Sequence, residues 1–67
     1  MFKLFKVNKI GTKTLIDEYK SQKKAKKAAE KLIMGGIFDE PEVNSLRIVE
    51  TYGSNLEVIK VNFFRPQ

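Results

Sequence analysis

The sequence predicts an α+β fold: a single ββαββ domain in which a four-stranded antiparallel sheet carries one helix packed across one face. Three observations predict it. Two runs near the start and two near the end are rich in alternating apolar, β-branched and aromatic residues, the pattern of half-buried strands. Within each pair the runs are separated by turn residues, Gly11 in the first and Gly53-Ser54-Asn55 in the second. Between the pairs the apolar period lengthens to about 3.6, which is helical. A chain of 67 residues has room for one domain, and at that size folding buries only roughly 60% of the surface the unfolded chain exposes.

The expected strands lie at about 2–10, 13–19, 46–52 and 56–64, and the helix at about 21–34. Lysines alternate with Phe, Leu and Val in the first run, which splits Phe5 and Val7 from Phe2, Leu4 and Ile10. The second run sets Thr14, Ile16 and Tyr19 around Leu15 and closes the first hairpin. Ala25, Ala28, Ala29, Leu32 and Ile33 then form one helical stripe, with Ser21 as N-cap and Gly35-Gly36 as the stop. Its three alanines let the helix backbone lie close to a sheet. Residues 37–45, with Pro41, Asn44 and Ser45, read as a loop, in which Ile37 or Phe38 is placed to fold back on the last helical turn. In the fourth strand Ile59, Val61 and Phe63 share one face, while Leu56, Val58 and Phe64 share the other. Both sheet faces are therefore partly apolar, and the strand order stays open. Arg65-Pro66-Gln67 reads as a tail.

Charge narrows the function. The net charge is +5, and its distribution is uneven. Residues 1–31 carry ten lysines against three acids, a net +7, whereas residues 32–67 carry three cationic groups against five acids, a net −2. A basic half points to an anionic partner. The competing reading is compositional, since eleven lysines against two arginines is also what an AT-rich coding sequence gives.

There is no cysteine and no histidine, which removes disulfides, thiolate chemistry, Cys- or His-based zinc sites and the side chain that titrates unperturbed near neutrality. No cofactor and no metal are expected. No apolar run approaches the roughly 20 residues of a membrane span, and MFKLFKV interleaves lysines with hydrophobics instead of separating them as a signal peptide does. The expectation is a cytoplasmic protein without a membrane role.

The candidate site is a basic surface. Lys20, Lys23, Lys24, Lys27 and Lys31, together with Lys26, project from the helix faces that the alanine and leucine stripe leaves free; Lys6, Lys9 and Lys13 flank them on the hairpin. Like charges four residues apart, as in Lys20/Lys24, Lys23/Lys27 and Lys27/Lys31, each cost a few tenths of a kcal/mol. Lysines in the first turn also oppose the helix dipole. Lys26/Glu30 alone compensates, in the less favourable order. A phosphate near Ser21 to Lys24 would meet both backbone N–H groups and ammonium groups. The alternative is a solvated face that keeps the domain soluble. Because Lys predominates over Arg, phosphate contact with little sequence preference is expected. Phe2, Phe5, Tyr19, Tyr52, Phe63 and Phe64 serve either as stacking platforms for single strands on the open sheet face or as core.

Catalytic patterns are incomplete. Glu18-Tyr19-Lys20 matches the E-x-K element of one class of metal-dependent nucleases, but residues 1–16 hold no Asp or Glu to complete it. Gly11-Thr12-Lys13-Thr14 lacks the earlier glycine and the Gly-Lys adjacency of a P-loop. Asp39, Glu40 and Glu42 offer oxygen ligands without EF-hand spacing. No enzyme activity is expected.

The leading expectation is a non-enzymatic protein that binds nucleic-acid phosphates, or a nucleoprotein, through the helix and hairpin lysines. The second is a protein-binding inhibitor or regulator, for example of a host nuclease, using Asp39, Glu40, Glu42, Tyr52 and Phe64. In size and composition the chain is similar to small proteins of phages and mobile elements, a likeness that implies action by binding. A homodimer without ligand is the third reading.

Overall fold

The computed structural model describes residues 1–66. Its elements are β1 (Phe2–Asn8), β2 (Lys13–Tyr19), α1 (Gln22–Met34), a 3-10 turn (Ile37–Asp39), β3 (Val43–Tyr52) and β4 (Leu56–Phe64). All neighbouring strands are antiparallel and the sheet order is β2-β1-β3-β4. Each hairpin stays intact, and β1 and β3 join them at the centre. The sheet thus carries the two differently charged halves of the chain side by side.

Directly opposed residues of antiparallel strands share a face, so the registers assign both faces. Phe2, Leu4, Leu46, Ile48, Val61 and Phe63 lie on the helix side. There Leu4, Leu46 and Ile48 are fully buried together with Ala25 and Ala29 of the helix. The alanine stripe is what permits this approach: a larger side chain at 25 or 29 would meet the sheet before the helix could seat. Lys3, Phe5, Val7, Ser45, Arg47, Val49, Ile59 and Phe64 occupy the open face.

Each edge strand carries a bulge that brings residues three apart onto the helix side. In β2, Leu4 pairs with Asp17 and Phe5 with Leu15, which leaves Ile16 as the extra residue. Ile16 and Tyr19 both pack against the core as a result. In β4, Ile48 pairs with Val61 but Val49 pairs with Ile59, leaving Lys60 extra. This corrects the strict alternation expected for the last strand. Ile59 shares the open face with Phe64, and Val58 lies on the same side as Val61 and Phe63.

Three boundaries differ from the sequence expectation. β1 ends at Asn8 instead of residue 10, because the Asn8 side-chain Oδ1 accepts from Ile10 N (3.2 Å) and Thr12 N (2.9 Å) and turns the chain. Ile10 is left 87% exposed in the turn, and Gly11 completes it at φ 90°. β3 begins at Val43 instead of residue 46, since the turn propensity of Asn44-Ser45 yields to pairing of Ser45 with both Val7 and Phe64. Arg65 is not a free tail. Its Nε donates to Val43 O at 3.0 Å, its Nη2 to Val43 O at 2.6 Å and to Glu40 O, and its guanidinium lies 5.9 Å from the Phe38 ring centre. Gln67, read as part of that tail, lies outside the described residues.

The helix ends are as the sequence predicts. Ser21 Oγ accepts from Lys24 N at 3.2 Å, and the chain leaves the helix through Gly36 at φ 93°. That left-handed conformation favours glycine. Ile37 and Phe38 then pack on the core.

Candidate functional site

The helix presents its lysines as one continuous surface. At 3.6 residues per turn, Lys23, Lys24, Lys26, Lys27 and Lys31 fan over roughly 160° of arc opposite Ala25 and Ala29. All five are exposed, as is Lys20 just before the cap. The helix holds five lysines against Glu30, a net charge of +4, with no acid in its first turn. Among the described residues two ion pairs form, Lys13–Glu57 and Lys60–Glu50. Neither involves a helix lysine. Lys26 and Glu30, although placed i and i+4, do not pair.

The three hairpin lysines occupy three different places, and Lys13 faces away from this surface. Lys6 pairs with Leu46 and Thr14 on the helix side and lines a small depression with Glu40 and Glu42. Lys9 sits in the turn beside Pro41 and Glu42. Lys13 is on the open face, with its Nζ 2.7 Å from Glu57 Oε1 and 4.5 Å from the Phe5 ring centre. Lys31 shares a shallow depression with Glu40 at the C-terminal end of the helix. Lys23, Lys26 and Lys27 line another depression with Gln22 and Glu30, so lysines outnumber the acid there three to one.

The residues considered for protein binding are also dispersed. Asp39, Glu40 and Glu42 surround the loop that Arg65 fixes through backbone carbonyls. Phe64 opposes Ser45 on the open face, near that end of the sheet. Tyr52 lies at the far end of β3, where its hydroxyl donates to Glu50 Oε1. That hydrogen bond raises the Tyr52 phenol and, together with Lys60 Nζ 3.5 Å away, holds the Glu50 carboxyl below its usual range. Among the described residues no three acidic side chains converge to hold a metal ion.

The open face is less open than its composition suggests. Phe5, Val7 and Val49 are buried although no helix covers them, and Lys13 reaches across the Phe5 ring to the opposite edge strand. The Lys13 hydrogen bond, with Lys3 also close, lowers the pKa of Glu57. Leu15, Ile59 and Phe64 remain 45%, 53% and 70% exposed on this face.

Sequence reasoning missed Arg65 and the Lys13–Glu57 pair. Arg65 carried no local signal beyond being one of two arginines. The pair joins residues 44 positions apart and depends on strand order, which no local pattern encodes. None of the described helices is long and apolar enough to cross a membrane. Comparison with protein-family models, with characterised proteins and with solved structures finds no match to this chain.

Proposed function

We propose that this chain is a non-enzymatic binding module whose lysine-rich helix holds nucleic-acid phosphates with little sequence preference. One observation carries this: a continuous, exposed ammonium surface on α1 whose lysines form no ion pair among the described residues, although two of the protein's acids are used for pairing elsewhere. Such a surface lowers the stability of an isolated helix through dipole opposition and like-charge spacing. An array of phosphates relieves both costs. The contact set is Lys20, Lys23, Lys24, Lys26 and Lys27, with Lys31 weakened by its neighbour Glu40.

Fluorescence anisotropy of labelled DNA and RNA at ~50 mM and ~200 mM salt tests the proposal. About five phosphate contacts give a log–log salt slope near −4.5, a loss of roughly 500-fold over that range. Replacing Lys23, Lys24 and Lys27 together by Glu should abolish the binding while leaving the circular dichroism spectrum intact. No binding at the lower salt sinks the proposal.

A second reading, a protein-binding inhibitor or regulator, is favoured by the exposed Leu15, Ile59 and Phe64 on a face without a covering element. Large exposed apolar side chains grouped on one face mark interaction surfaces. Glu40→Lys with Glu42→Lys should abolish capture of a protein target under that reading, and leave phosphate binding intact under the first.

A further inference from the structure

We infer that the nucleic acid this helix takes is a duplex, bound through its phosphates alone, and not a single strand. The inference rests on the phosphate-binding reading above and adds to it the placement of the aromatic residues. Single strands are held by stacking bases on aromatic side chains beside a basic groove, at about 1–3 kcal/mol per base. No such platform accompanies the lysines. Phe2, Tyr19, Phe38 and Phe63 pack against the core under the helix. Phe5 is buried, with the Lys13 ammonium over its ring. Phe64 is exposed on the sheet face turned away from the helix, and Tyr52 lies at the far end of β3 with its hydroxyl tied to the carboxylate of Glu50.

The lysines themselves favour a dense, fixed array. A 13-residue helix is a rigid rod of roughly 20 Å, and it spreads its ammonium groups over its exposed surface, where Lys23, Lys26 and Lys27 line a shallow depression with Gln22 and Glu30 but with no aromatic side chain. Each contact also gains more on a duplex, whose closer charges release about 0.9 counterion per phosphate against about 0.7 on a single strand. Without stacking to offset that difference, the duplex is preferred.

The test titrates the full chain into a labelled 20-base-pair duplex and, separately, into labelled oligo(dT) of 20 nucleotides, across several salt concentrations. The duplex is expected to bind at least tenfold tighter at ~50 mM salt, with the steeper slope. Tyr52→Ala and Phe64→Ala, each checked for an unchanged circular dichroism spectrum, are expected to alter neither affinity by more than about twofold. Equal or tighter binding of oligo(dT), or a loss above fivefold in either aromatic variant, overturns the duplex assignment and leaves phosphate binding standing. Binding to neither nucleic acid overturns both.

Discussion

Lys13 and Glu57 belong to the two opposite edge strands of the sheet, yet Lys13 Nζ and Glu57 Oε1 lie 2.7 Å apart. Three strand spacings of about 4.8 Å separate the edges of a flat sheet, and the two residues also differ in position along the strands, since Lys13 opposes Val7 while Glu57 opposes Thr51. They meet because the sheet coils. Strand twist brings one diagonal pair of corners together over a face, and the bulges at Ile16 and Lys60 increase that twist at both edges. The pair closes the coil over Phe5.

This closure should respond to pH. Glu57 has a lowered carboxyl pKa in the fold, so its contribution to stability is fully present above the unfolded-state value and is lost as pH falls through the folded one. A carbon-13 titration of the Glu57 carboxyl should show a midpoint below the usual 4.5. In Lys13→Met the midpoint should return toward that value, and the Phe5 ring should become more exposed. An unchanged midpoint would mean that the pair does not persist in solution.

Arg65 should matter more than its place near the C-terminus suggests. Its guanidinium donates to the carbonyls of Val43 and Glu40 and covers Phe38. Hydrogen bonds from charged donors contribute about 1.5–3 kcal/mol each, reduced here where the contact is exposed. Arg65→Ala is expected to lower the urea unfolding free energy by about 1–2 kcal/mol. The Val43 amide, which donates to Glu40 O at 3.1 Å, should exchange faster.

Local chemistry made the elements legible before the structure did. Ser21, the alanine stripe and Gly35-Gly36 defined the helix, and alternation with turn residues defined both hairpins. Each of those signals acts between residues that are neighbours in sequence. The β4 face assignment failed because a bulge is decided by pairing: Val58 and Val61 are three apart, and only an extra residue at Lys60 lets both face the helix. The lysine surface was legible for the same local reason as the helix. The separation of Lys13 from it was not, because it depends on which side of the sheet the helix takes.

The helix–sheet contact gives a packing prediction. Ala25 and Ala29 have no exposed surface, and the core opposite them holds Leu4, Leu46 and Ile48 with equally little. Added methylenes have no space to enter. Ala25→Leu is expected to destabilise by about 1–3 kcal/mol through overpacking, despite the good helix propensity of Leu. Leu4→Ala, which opens a cavity at the same contact, should cost about 2–5 kcal/mol. Thermal unfolding of both variants checks the pair of effects. A neutral Ala25→Leu would show that the helix can lift from the sheet.

Single lysine substitutions should separate the helix from the hairpin. Each phosphate contact removed reduces the salt slope by about one, whereas a lysine that makes none leaves the slope unchanged. Lys23→Gln and Lys24→Gln lie in the first turn of the helix, where there is no acid, and are each expected to lower the slope by about one. Lys31→Gln, beside Glu40, should lower it by less. Lys13→Gln is expected to change it by nothing measurable, because that ammonium is on the open face and already engaged by Glu57. The slopes, taken from anisotropy titrations over the same salt series, convert the spatial arrangement into an ordering: Lys23 and Lys24 first, Lys31 next, Lys13 last. A slope that falls as far in Lys13→Gln as in Lys23→Gln would place the bound phosphates on the sheet, and with them the function.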